Sequence, residues 1–93
     1  MKSFEGRMIY ITGGSSGIGL EMGRIFAAEG AGLLLLARKA EKLDNAARSM
    51  EKVRRSREQK IGALSVDVSD IADVEQKMGI ALKQYGPPDV LVC

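Results

Sequence analysis

Histidine is absent from the 93 residues, and cysteine occurs once, at Cys93. A single cysteine excludes an intrachain disulfide. Without histidine there is no Cys/His cluster to hold a structural zinc, so no metal site is expected. The lone thiol suits a reducing, cytoplasmic setting. Long apolar runs are missing as well. The longest, residues 31–37 (AGLLLLA), falls far short of the ~20 residues that a membrane-spanning helix needs. The N-terminus, MKSFEGRM, sets Glu5 and Gly6 ahead of the first apolar run, unlike a secretory signal. Nor is there a strong excess of one charge. A formal net charge of +2 makes no case for nucleic acid or an anionic membrane. The stretch 52–60 (KVRRSREQK) is locally basic, yet no aromatic stacking residues are interleaved. Cations there suit the C-terminal end of a helix, where the macrodipole favours them.

What remains is globular composition, 45% hydrophobic and 28% charged, in a length that suits one small domain. Apolar runs and helical patterns alternate. Residues 8–12 (MIYIT) read as a buried strand. Over 17–29 the apolar positions Ile18, Met22, Ile25 and Phe26 share one helical face, and Gly30 follows where a helix-ending glycine belongs. The continuous run 33–37 predicts a strand buried on both faces. A second helix is expected over 39–57 with Leu43, Ala46, Ala47, Met50 and Val53 inward. A third strand is expected over 62–68. Ser69 or Asp70 can cap a third helix with Ile71, Val74, Met78, Ala81 and Tyr85 inward. The sequence Gly86-Pro87-Pro88 breaks it, and residues 89–93 begin a fourth strand. The order βαβαβαβ demands parallel strands with helices on both faces of the sheet, an α/β doubly wound arrangement. The outer edge of the fourth strand is expected to be open, which favours self-association.

Residues 9–19, IYITGGSSGIG, place four glycines and two serines between the first strand and the first helix. Each ordered glycine costs roughly 0.5–1 kcal/mol relative to alanine, so a purpose is implied. The spacing Gly13-x-x-x-Gly17-x-Gly19 fits a pyrophosphate cradle. Gly13 would allow the sharp turn off the strand, and Gly17 would allow close approach of the phosphates. Gly19 would allow helix and sheet to pack, with the helix N-terminus facing the anion. A Walker-type phosphate loop is excluded, because Leu20 and Glu21 follow Gly19 in place of lysine and a hydroxyl residue. The ribose-reading position lies about 20 residues after such a loop, at the end of the second strand. Here it holds Ala37 and then Arg38, with no acid to select a free ribose. A guanidinium makes charge-assisted contacts to a 2′-phosphate, and Lys39 adds charge, which predicts NADP over NAD.

With these residues in view, TGGSSGIG (12–19) resembles the cofactor loop of the short-chain dehydrogenase/reductase family. LLLLARKAEKL, ALSVDVSD and GPPDVLV look like its next three landmarks, in order. The resemblance implies a Rossmann fold with sheet order 3-2-1-4 and a nicotinamide cofactor at the strand ends. It assigns Gly13, Gly17 and Gly19 to the loop, lined by Ser15, Ser16 and Ile18. Thr12 would brace the loop. Asp67 would accept from the adenine amino group, while the Val68 backbone contacts the ring. The family's catalytic Tyr-x-x-x-Lys pair has no counterpart in this stretch, because Gly14 stands four residues after Tyr10 and Asp89 four after Tyr85. Both tyrosines read as core or helix-face residues. The chain is thus expected to be an N-terminal half-domain, residues 1–93, that binds NADP(H) and is inactive alone.

Within the family, the four landmarks most resemble the 3-ketodihydrosphingosine reductases. The implied substrate is a small-molecule, lipid-like ketone, and the whole enzyme is expected to be a homo-oligomer. The alternatives are a reductase of acyl, steroid or sugar ketones, or a nucleotide-binding module without chemistry.

Overall fold

Leu33, Leu34, Leu35 and Leu36 are all buried, although leucine is a good helix former. Burying one such side chain is worth roughly 1.5–3 kcal/mol, more than the helix preference it overrides. Their alternation sends Leu33 and Leu35 into one layer and Leu34 and Leu36 into the other. The structure, a computed structural model, describes residues 4–13 and 17–93. Its elements are β1 (Met8–Thr12), α1 (Gly17–Ala28), β2 (Gly32–Ala37), α2 (Ala40–Val53), β3 (Ile61–Ser65), α3 (Ile71–Tyr85) and β4 (Val90–Val92).

The four strands form one parallel sheet in the order β3-β2-β1-β4. Ile9, Ile11, Leu33 and Leu35 pack with Ala27 of α1 and with Leu43, Ala46, Ala47 and Met50 of α2. Met8, Tyr10, Leu34 and Leu36 pack on the other face with Ala81, Met78 and Tyr85 of α3. The chain therefore winds outward from β1 to β3, then crosses to the far side of β1 to lay down β4. That reversal is the topological switch point, beside the C-terminal ends of β1 and β4. Asp89 secures the crossing, since Met8 N donates to its Oδ2 at 2.7 Å and its own N donates to Met8 O at 2.7 Å.

The expected architecture is present, with four local differences. In α1 the buried residues are Gly23 and Ala27, while Ile18 and Ile25 are 81% and 56% exposed. A Cβ on Gly23 would collide with the Met50 side chain, so α1 and α2 meet through their smallest residues and the isoleucines turn outward. Helix α2 stops at Val53 rather than 57, where Arg54 turns extended. Strand β3 stops at Ser65 rather than 68, because Asp67 and Asp70 form a turn that opens α3. Ile71, expected inward, is 75% exposed on the first turn of α3. Gly30, with φ of +98°, ends α1 as its position suggested. Neither tyrosine is free in the solvent: Tyr10 is fully buried with its hydroxyl donating to Gly86 O, and Tyr85 is half-buried.

Candidate functional site

Each βα connection returns to the C-terminal end of the sheet, so the residues singled out in the sequence collect there. β1 delivers Thr12 and Gly13. Gly13 takes a φ of +70°, and its N–H donates to Leu36 O at 2.9 Å, which ties the turn to β2. The Thr12 hydroxyl donates to Val92 O at 3.3 Å, so it braces the neighbouring strand β4. Gly17 begins α1 with a φ of +61°, a backbone region that other residues rarely adopt. Among the described residues, a Cβ at either Gly13 or Gly17 would meet nothing within 4 Å. Gly19 is half-buried in the first turn of α1. Ser15 and Ser16 lie outside the described residues.

From β2 the chain passes Ala37 and exposed Arg38 to Lys39, the N-cap of α2. A capping side chain normally accepts from the first turn's N–H groups, but Lys39 makes no such bond. Two cations thus stand at a helix end that attracts anions. Among the described residues, neither joins an ion pair.

Beyond β3, Asp67 and α3 form a local network. Asp67 Oδ1 accepts from Ser69 N at 3.0 Å and Ser69 Oγ at 2.6 Å. Asp70 caps α3 by accepting from Asp73 N at 3.3 Å. Asp73 Oδ2 accepts from Asp67 N at 2.9 Å, while its Oδ1 pairs with Lys77 Nζ at 3.2 Å. The Ser69 hydroxyl and amide hold the Asp67 carboxyl below its ordinary range, with a smaller pull from Arg38. The Asp67 amide and then Lys77 do the same for Asp73, against weaker opposition from burial and the Asp67 charge. Ionised Asp67 is an acceptor only, as an amino group on a ligand would require. Exposed Val68 and Ile71 flank it, 71% and 75% accessible.

A carboxyl whose folded-state pKa is depressed stabilises the fold above its unfolded value of about 4 and loses that contribution as pH falls through the folded value. Asp73→Asn should therefore lower the melting temperature at pH 7, and the gap to the unaltered protein should shrink towards pH 2.5. Melts across that range check this; a gap that stays constant would contradict it.

A cleft of about 380 Å³ opens at the opposite end of the strands, lined by Glu5, Arg7, Arg55, Glu58, Lys60 and Tyr85 among others. Its charges are of both signs, and it lies away from the switch point. Among the described residues no group of three acidic or cysteine ligands could hold a metal ion, and no helix is long and apolar enough to cross a membrane.

The short chain dehydrogenase family model matches residues 7–93. The chain belongs to that family. It is 40% identical over 86 residues to a 3-dehydrosphinganine reductase of Arabidopsis thaliana, covering 92% of this chain and 24% of that protein. To the 3-ketodihydrosphingosine reductase of Bos taurus it is 39% identical over 91 residues, 97% of this chain and 27% of the relative. Among solved structures, the L-sorbose reductase of Gluconobacter frateurii in complex with NADPH and L-sorbose superposes with a TM-score of 0.84. That match has 33% identity and covers 97% of this chain and 33% of the reductase. The chain thus spans about a quarter to a third of the proteins it matches. The Rossmann-type sheet and the membership in an oxidoreductase family, both implied by the sequence landmarks, are borne out.

Proposed function

We propose that residues 1–93 are the NADP(H)-binding part of a short-chain reductase that converts a ketone to an alcohol. The observation that carries the cofactor choice is the start of α2. There Arg38 and Lys39, the N-cap residue whose side chain makes no capping bond, follow β2, so neither position offers a carboxylate to a free ribose. The residues present fit the whole dinucleotide. No described residue would lie within 4 Å of a Cβ on Gly13 or Gly17, which favours a pyrophosphate at the N-terminus of α1. Ile18, Val68 and Ile71 remain in solvent at this one end of the sheet, although each would be worth roughly 1.5–3 kcal/mol if covered. A flat, apolar adenine-like ring would cover such residues, with Asp67 receiving its amino group. Ser15 and Ser16 complete the loop in this reading.

The cofactor, when bound, supplies hydride to the ketone carbon. The chain's own contribution is to hold and orient: glycine backbone to phosphate, Arg38 and Lys39 to the 2′-phosphate, Asp67 and Val68 to the base. Proton transfer to the new alcohol needs residues other than these. The likeness to two sphingoid-base reductases supports 3-ketodihydrosphingosine as substrate, and with it a role in sphingolipid synthesis. A sugar ketone is the second reading, supported by the L-sorbose reductase superposition. We also assign the whole enzyme to the cytoplasm, as a homo-oligomer.

Arg38→Ala should weaken NADPH binding to the full-length protein by about ten- to a hundredfold, the range of one or two charge-assisted hydrogen bonds. NADH binding should hardly change. Calorimetric titration of both nucleotides checks this, and equal affinities before substitution would defeat the cofactor assignment. Oxidation of NADPH with 3-ketodihydrosphingosine but not with L-sorbose would support the lipid substrate, and the reverse would favour the sugar.

A further inference from the structure

We infer that Ser65 is a positioning residue that sets the preference for a 2′-phosphorylated cofactor by fixing the peptide at Arg38. This rests on the NADP reading above and deepens it. The β2–β3 ladder pairs Ala37 with Ser65 and ends there, with one last bond from Val66 N to Ala37 O at 2.8 Å. Arg38 lies one residue past the pairing, where it would ordinarily be loose. The Ser65 hydroxyl extends the ladder by donating to the Arg38 carbonyl at 2.7 Å. Ser65 is itself held from the other side, because Lys77 Nζ donates to its carbonyl at 2.8 Å while pairing with Asp73. Both members of that pair are only about a quarter accessible, at 26% and 24%. Helix α3 therefore anchors Ser65, and Ser65 anchors the segment that carries both phosphate-facing cations into the N-cap of α2.

The physical effect is preorganisation. A guanidinium on a fixed peptide meets a phosphate without first ordering its backbone, so less binding energy is lost on contact. In that reading the 2′-phosphate is the group at this segment that NADPH has and NADH lacks, while the pyrophosphate and adenine, common to both, are held from α1 and from Asp67. Loss of the hydroxyl should therefore change the ratio of the two affinities and not their common part. A residue that merely supported the fold would weaken both cofactors together.

The test uses the full-length protein and measures dissociation constants for NADPH, NADH and adenosine 2′,5′-bisphosphate, with a melt for each variant. Ser65→Ala should weaken NADPH and the bisphosphate about fivefold, the scale of one net hydrogen bond, and leave NADH within about twofold. Ser65→Cys keeps the side chain's shape with a weak donor and should behave like alanine. Ser65→Thr restores a hydroxyl and should restore the ratio. If both loss variants keep the ratio while Arg38→Ala collapses it, the role given to Ser65 is wrong and the NADP reading stands. If the unaltered protein binds NADPH and NADH alike, the NADP reading fails and the Ser65 inference with it. Equal weakening of both cofactors by Ser65→Ala would reduce Ser65 to a structural residue and overturn the inference.

Discussion

Gly62→Val should unfold the protein at temperatures where the unaltered chain is stable. A Cβ on Gly62 would fall on the Tyr85 hydroxyl, with Tyr85 Cζ 2.6 Å and Cε1 2.9 Å away. Strand β3 is an edge strand, and the Tyr85 ring lies where Gly62 has no side chain, closing α3 onto the sheet. An aromatic ring over a bare glycine compensates for a residue that otherwise weakens a strand. Valine gains in strand preference, on a scale of only about 1 kcal/mol, and loses more to overpacking, about 1–3 kcal/mol or above. Because the ring is rigid, the overpacking should win. For a domain of this size a net loss of about 2 kcal/mol lowers the melting temperature by on the order of 10 °C. Gly79→Ala on α3 is the contrast: among the described residues its Cβ would meet nothing within 4 Å, so the melt should rise, by the equivalent of about 1 kcal/mol of helix preference. Adding Tyr85→Leu should recover part of the Gly62→Val loss, since the two residues share one volume. Calorimetric melts of the four proteins decide it, and a Gly62→Val protein as stable as the original would show that Tyr85 does not occupy that space.

Gly17→Ala should separate binding from folding. The φ of +61° costs a non-glycine residue roughly 1–2 kcal/mol, and among the described residues the added methyl meets nothing within 4 Å. The fold should therefore survive with a moderately lower melting temperature. The nucleotide should suffer far more, because Gly17 stands where the backbone has to come within contact of a pyrophosphate. A drop of about a hundredfold or more in affinity is expected for NADPH and NADH alike, the equivalent of about 2.7 kcal/mol. That uniform loss contrasts with Arg38→Ala, which should act on NADPH alone. Titration and melting of the same preparation check both halves. A Gly17→Ala protein that binds normally would remove Gly17 from the site.

How much of this is legible in the sequence depends on which force places each residue. The leucines of β2 and the face of α2 at Leu43, Ala46, Ala47 and Met50 announce themselves by pattern, because burial of bulky apolar groups dominates there. In α1 the same reasoning misplaces the inward face. Ile18 and Ile25 carry the strongest hydrophobic signal, but close approach at Gly23 governs the packing, and smallness is invisible to a count of apolar residues. Ile71 reads as a core residue for the same reason and instead stands exposed beside Val68. The glycine turn and Arg38 are readable from spacing. The bonds from Ser65 to Arg38, from Lys77 to Ser65 and from Asp67 to Asp73 are not, since they join side chains to backbone groups 6 to 27 residues away. A serine followed by alternating acids could suggest a turn, but nothing local names its partner.

The central claim is that the C-terminal end of the sheet, at the switch point, is the dinucleotide site. Amide chemical shifts of the isotope-labelled protein titrated with NADP+ test it most directly. The largest changes should fall on Gly13, Gly17, Ile18 and Gly19, on Arg38 and Lys39, and on Asp67 and Val68, while Arg7, Arg55 and Lys60 around the opposite cleft stay in place. Changes gathered at that opposite cleft, or spread without a focus, would contradict the claim.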